Sequence, residues 1–183
     1  MIHIAISGKA GCGNTTISKL LGKEIGLPII NYTFKQLAKE KNMTVEEMVA
    51  ANKVDEAYSK YVDLHQIELA QQCSCILASR MAIWLLKDAV LKVYLYASQD
   101  ERITRIYKRE GGNIEKIRQF TKERDNEDYR VFKKLYNIDY NQYTFADLIL
   151  NTEEYSPKEC VELIKNELLK VLVQNPKICY ENA

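Results

Sequence analysis

Residues 2–25 constrain this chain more than any other stretch. They begin apolar and β-branched, pass through Gly8, Gly11 and Gly13, and from Thr16 onward place Ile17, Leu20, Leu21 and Ile25 at helical spacing. That order predicts a strand, a glycine loop and a helix. Glycines let a backbone approach a ligand closely, successive N–H groups turn inward, and the helix N-terminus adds partial positive charge, so such a segment suits a phosphate. Against the template G-x-x-x-x-G-K-[ST], the chain supplies Gly8, Gly13 and Thr15 but carries Asn14 where the lysine belongs. The plainer alternative is a glycine-rich turn of some other α/β protein; the strand before and the helix after argue against it.

The rest of the chain repeats the strand-then-helix alternation. Short apolar runs at Ile29–Ile30, Cys73–Ser79, Val90–Ala97 and Leu148–Leu150 read as further strands. Helical patterns cover Phe34–Glu40, Thr44–Ala51, Asp55–Gln72, Arg102–Glu110, Ile114–Leu135 and Pro157–Val173, with Met81–Leu86 a helix or a turn. Thr44 with Glu47 makes a capping box, and Ser156 with Pro157 an N-cap and first helical position. In the helix 55–72, Tyr58, Tyr61, Val62, His65 and Leu69 lie near one stripe. The expectation is an α/β fold: a five-stranded parallel sheet with helices on both faces and ligand beyond the carboxyl ends of the strands. At 183 residues one domain is expected, with two helical insertions, 32–72 and about 111–143, and a polar tail over 174–183.

Charge and cysteine usage narrow the function classes. A formal net charge of +1 gives no general attraction to nucleic acid or anionic membrane. No segment reaches the length of a membrane span, and residues 1–7 are too short for a signal peptide, so a cytoplasmic protein is expected. Cys12, Cys73, Cys75, Cys160 and Cys179 are odd in number and without zinc spacing, hence expected as reduced thiols. Cys12, beside a helix N-terminus, is either a thiol of lowered pKa or simply a small loop residue. His3 and His65 read as packed histidines; Tyr32 and Tyr58 lie where they could stack on a planar ligand.

Anion binding must then come from local cations. Arg102, Arg105 and Arg109 stand at i, i+3 and i+7, presenting three guanidiniums along one helix face beside Lys108. Arg80 follows the third strand directly, at the end of the sheet where the glycine loop sits. Lys35 opens the first inserted helix, and Arg124 and Asp128 at i, i+4 can pair with each other. A solvated helix surface is the plainer account of the arginine run.

The order of these pieces resembles the cytidylate kinases, in particular the small archaeal-type nucleoside monophosphate kinases. The resemblance rests on I-S-G-K-A-G-C-G-N-T-T at the start, L-A-K-E-K-N-M at 37–43, Arg80 before M-A-I-W, and R-I-T-R-I-Y-K-R-E-G at 102–111. E-R-D at 123–125, Y-N-I-D at 136–139 and D-L-I-L-N-T at 147–152 extend it. It implies a P-loop kinase fold in one domain, 1–183, with a core of 1–31, 73–110 and 144–173, a monophosphate-binding insertion at 32–72 and a lid at 111–143. It also implies transfer of the γ-phosphoryl of ATP to CMP or dCMP with Mg²⁺. By position, Gly8, Lys9, Ala10, Gly11, Cys12, Gly13, Asn14, Thr15 and Thr16 would hold ATP, with the Thr15 hydroxyl on the metal. Lys35, Arg80, Arg124 and Asp128 would hold the acceptor, and Arg80, Arg105, Arg109, Arg124 and Lys9 would carry charge in the transition state. No nucleic-acid or membrane partner is implied.

Three positions depart from that pattern: Asn14 for lysine, Ala78-Ser79 where Glu-Gly precedes the arginine, and Val131 where an arginine follows Arg124 and Asp128, with Arg130 about 100° round the helix. Losing one preorganised donor costs roughly 3–4 kcal/mol in other enzymes. Lys9, in G-K-x-G-x-G as in deviant P-loops, is a candidate replacement. Two rival readings follow: a nucleotide-binding pseudokinase of the same fold, and a dimeric P-loop ATPase working through Lys9.

Overall fold

All six residues of β1 (His3–Gly8) are buried, the condition of a central strand with neighbours on both edges and helices on both faces. In the computed structural model, which describes residues 1–54 and 56–176, β1 is the middle of a five-stranded sheet of order β2-β3-β1-β4-β5. Its partners are β3 (Cys75–Ala78) and β4 (Leu91–Tyr96), with β2 (Ile29–Ile30) and β5 (Leu148–Asn151) at the edges, every pairing parallel. The register sets Ile6 against Ala78 on one side and Val93 on the other, so the loop after β1 emerges between the ends of β3 and β4.

Alternation along β1 divides the interior. Ile4 and Ile6 join Ile17 and Leu21 of α1 (Asn14–Ile25) and Val161, Ile164 and Leu168 of α8 (Pro157–Gln174) on one face. Ala5 turns the other way, toward Leu77, Tyr94 and Ile83 of α5 (Ala82–Leu85). Each such aliphatic side chain contributes about 1.5–3 kcal/mol on full burial. Between β2 and β3, α2 (Phe34–Glu40), α3 (Val45–Val54) and α4 (Ala57–Ala70) close over a separate small core of Tyr32, Leu37, Ala38, Met48 and Val62. Between β4 and β5 come α6 (Gln99–Glu110) and the 23-residue α7 (Ile114–Tyr136), whose Val131 and Phe132 pack with Met81 and Tyr140.

Capping explains most of the helix boundaries. Thr44 and Glu47 exchange bonds of 2.8 and 3.1 Å between side chains and main chain, and Ser156 caps α8 with Glu159. The helix expected from Arg102 starts earlier, at Gln99, because the Ser98 hydroxyl accepts the Glu101 N–H. The first helix likewise begins at Asn14 rather than Thr16. The apolar stripe expected on α4 is corrected: Val62, Gln66 and Ala70 are buried at i, i+4, i+8, while Tyr61 is 45% exposed. Asp55 and, from residue 177 on, the expected polar tail with Cys179 lie outside the described residues. Among the described residues no helix is long and apolar enough to cross a membrane.

One glycine of α1 marks a close crossing of the core. A Cβ on Gly22 would stand 2.9 Å from the Leu27 carbonyl oxygen and 3.0 Å from Ile29 Cγ1, and the first of these is backbone that cannot rotate aside. Gly22→Ala should therefore destabilise the fold by about 1–3 kcal/mol. The change is read as a lower denaturation midpoint at unchanged slope.

Candidate functional site

At the carboxyl end of the sheet the loop 8–13 and the first turn of α1 form one wall of a cleft of about 640 Å³, within the range of small-molecule sites. The loop keeps its shape because it is clamped from behind. Arg102 Nη1 donates to the Ala10 carbonyl at 3.1 Å, and its Nη1 and Nη2 grip Asp125 at 3.1 and 2.5 Å. Arg105 Nη1 donates to the Gly11 carbonyl at 3.5 Å and to Thr152 Oγ1 at 2.8 Å. In a planar trans peptide the next N–H points opposite the carbonyl, so the Ala10 carbonyl's bond to Arg102 sends the Gly11 N–H to the other side. Gly11 has φ of 90°, and a Cβ there would come within 2.9 Å of Arg102 Cβ. Glycine is required on both counts.

This placement corrects one expectation and decides between two readings of Cys12. Arg102 does not share an open face with Arg105 and Arg109; at 3% exposure it is spent on the loop and Asp125, while Arg105 and Arg109 line the cleft. Cys12 is buried, its N–H donates to the Lys9 carbonyl at 3.1 Å, and burial outweighs the nearby Arg102 to raise the thiol pKa. The lowered-pKa reading therefore falls, and Cys12 is a small residue that lets the loop sit on the core. Lys9 lines the cleft and donates to Asn141 Oδ1 at 3.1 Å.

Asn14 lines the cleft, but both ends of its amide are engaged by the protein. Its Nδ2 donates to the Ile6 carbonyl at 3.2 Å and its Oδ1 accepts the Ser18 hydroxyl at 3.1 Å, so the amide ties α1 to the last turn of β1. Thr15 and Thr16 are exposed on the cleft beside it.

The opposite wall brings together residues from three elements. Lys35, Arg80 and Arg124 all line it, as do Asn31, Tyr32 and Phe34. Arg80 is paired with Asp128 and lies over the Phe132 ring at 5.6 Å. The expected Arg124–Asp128 pair is thus replaced by Arg80–Asp128, which sets Asp128 behind the arginine and not on the cleft surface. Burial, then repulsion from Arg80, lowers the pKa of Arg124: two guanidiniums stand close together in a space that an anion would stabilise. Val131 is buried in the Phe132 core, and Arg130 turns outward to Glu56 and Glu127 at 2.7 and 2.8 Å. Ala78 is buried at the strand end, its carbonyl accepting from Asn31 Nδ2.

Sequence reasoning missed Asp63 and Gln66. Both lie on α4 and face the cleft beside Val62. Gln66 is 3% exposed and its Oε1 has no hydrogen-bond partner. Asp63 Oδ2 accepts the Tyr136 hydroxyl at 3.1 Å. A signal was present: Gln66 stands at i+4 from Val62, on the buried stripe of α4, and Asp63 directly follows Val62. Tyr32 lines the cleft with its hydroxyl on Glu40, whereas Tyr58 packs into the small core. His65 packs between the Tyr32 and Tyr61 rings.

Burial pushes the Asp63 carboxyl up to about 6, with Asp128 adding to the rise and Arg80 and the Tyr136 hydroxyl opposing it. A carboxyl raised above its unfolded value of roughly 3.9 favours the native state less as it ionises, so its contribution falls between about pH 4 and 6. Asp63→Asn should remove that loss. Its Tm relative to the parent is expected to rise across this window, by about 2–4 °C for about 1 kcal/mol, in melts taken at pH 4 and pH 7.

Comparisons with known proteins agree with this geometry. Residues 3–154 match the model of the "Cytidylate kinase-like family". The chain is 39% identical over 178 residues to cytidylate kinase 2 of Borreliella afzelii, covering 95% of this chain and 100% of that one. It is 35% identical over 166 residues to the cytidylate kinase of Archaeoglobus fulgidus, covering 89% and 92%. Among solved structures, a shikimate kinase from Acinetobacter baumannii in complex with shikimate superposes at a TM-score of 0.62 with 18% identity, covering 93% and 94%. A deoxyadenosine kinase from M. mycoides with bound dATP superposes at 0.56 with 23% identity, covering 91% and 99%. These two similarities are likenesses of fold, that of the P-loop kinases.

Proposed function

Because the chain belongs to the cytidylate kinase-like family, we propose that the cleft carries out phosphoryl transfer from ATP to CMP or dCMP, with the roles divided between its two walls. The observation that carries the assignment is one cleft lined on one side by the glycine loop and on the other by Lys35, Arg80 and Arg124. ATP phosphates lie on residues 8–16, and Arg105 and Arg109 reach them from α6. The acceptor's phosphate lies against Lys35, Arg80 and Arg124. The acceptor oxygen is already anionic, so no strong base is needed; alignment and neutralisation of spreading negative charge perform the catalysis.

The donor set near α1 fits Mg²⁺. The exposed Thr15 hydroxyl stands at the first turn, and a small hard cation takes few protein oxygens, completing its shell with phosphates and water. When bound, the ion supplies charge neutralisation at the phosphates. Thr15 would hold it, and β3 ends on Ala78 where a carboxylate could have assisted. Segments 32–72 and 111–143 act as the acceptor-binding insertion and the lid on a core of 1–31, 73–110 and 144–173.

Purified protein with ATP and Mg²⁺ should form CDP from CMP in a coupled assay, and absence of CDP would refute the assignment. Arg80→Ala should lower turnover roughly 10²–10³-fold, the scale of losing one preorganised cationic or hydrogen-bonding partner at a transition state.

A further inference from the structure

Resting on the reading that this cleft holds a nucleoside monophosphate, we infer that Asp63 and Gln66 select the acceptor's base by taking hydrogen bonds from an exocyclic amino group on a pyrimidine. The cleft is polarised: its cations, Lys9, Lys35, Arg80, Arg105, Arg109 and Arg124, all suit phosphate, whereas α4 offers a carboxylate and an amide next to the apolar Val62. A base, neutral and planar, belongs against the second kind of wall. Gln66 Oε1 is buried without a partner, and a buried acceptor left unsatisfied costs about 1–3 kcal/mol until a donor reaches it. Asp63 uses one oxygen on the Tyr136 hydroxyl and, with about four lone-pair sites on an ionised carboxylate, retains capacity for another donor.

Acceptors on the protein choose between pyrimidines by chemistry alone. Cytosine presents an N4 amino donor where uracil presents an O4 acceptor. Against a carboxylate and an amide oxygen, the first makes charge-assisted bonds and the second brings oxygen against oxygen in a partly dehydrated space. Sites built to hydrogen-bond one substrate group reject an analogue lacking it far more strongly than apolar pockets reject a missing methylene. Asp63 is itself held in place by the Tyr136 hydroxyl on α7, so α7 fixes the reader on α4.

The test compares CMP and UMP as acceptors, with ATP and Mg²⁺, for the parent protein, Asp63→Asn and Gln66→Leu. Each variant is expected to lose at least tenfold in kcat/KM for CMP, mostly through KM. Its rate with UMP should hold or rise and its calorimetric affinity for ATP should stay unchanged. A merely structural role would depress both acceptors together, and the ratio of two acceptors in one preparation does not depend on how much of it is folded. A CMP-to-UMP ratio within twofold of the parent in both variants, with ATP still bound, overturns this inference and leaves the kinase assignment standing. A parent protein that phosphorylates neither acceptor overturns both.

Discussion

The bidentate grip of Arg102 on Asp125, with its third bond to the Ala10 carbonyl, is the contact on which the site depends. It joins three pieces of chain far apart in sequence: the glycine loop, α6 and α7. With side chains 3% and 14% exposed, both ions have left water, and neither can be removed alone without stranding the other. Breaking such a pair costs roughly 3–5 kcal/mol, most of it the cost of the charge left behind. Loop shape and α7 position are therefore one structural variable. That explains why an arginine that looks, by spacing, like a phosphate ligand is instead the loop's support, and why Gly11 must lack a side chain where it lies against Arg102.

The same division of labour accounts for Asn14. A lysine at that position would send its charge into the cleft; the asparagine amide instead bridges the Ile6 carbonyl and the Ser18 hydroxyl, serving the junction of strand and helix. The cleft is not short of charge as a result. Arg105, Arg109, Arg80, Arg124, Lys35 and Lys9 all line it, contributed by helices and strand ends around the loop. Val131 follows the same logic: it packs with Phe132, the ring over which the Arg80 guanidinium lies, so the residue that replaces a cation helps to hold another one.

Much of the architecture was legible because strand and helix periods differ. The five strands, the capping box at Thr44, the N-cap at Ser156 and the placement of Lys35, Arg80, Arg105, Arg109 and Arg124 all follow from local pattern and order. What escaped was pairing across elements. The i, i+4 spacing of Arg124 and Asp128 suggested a bond within α7, yet Asp128 turns to Arg80, because a guanidinium emerging from β3 beside α7 gains more from a partly buried carboxylate than two neighbours on a helix surface gain from each other. Asp63 and Gln66 escaped for a related reason: the buried stripe of α4 contains the polar Gln66, with half-buried Asp63 beside it, and an apolar pattern passes over both. Ser98 carries an S-x-x-E spacing, with Glu101, and was overlooked because no apolar residue between it and Ile103 marks a helical pattern there.

Arg80 shows how the wall opposite the glycine loop can be both rigid and available. A lone arginine beside an empty cleft would lose side-chain freedom on binding, and that ordering would subtract from affinity. Here Asp128 already fixes the guanidinium through Nη1, and Phe132 supports its flat face. A guanidinium has five N–H donors, so one carboxylate does not exhaust it. Arg124 beside it adds a second positive charge at short range, which destabilises the pair without an anion and favours them with one. The wall would therefore give up little order to a phosphate bound there, and its interaction would grow as negative charge accumulates, the condition for binding a transition state more tightly than a ground state.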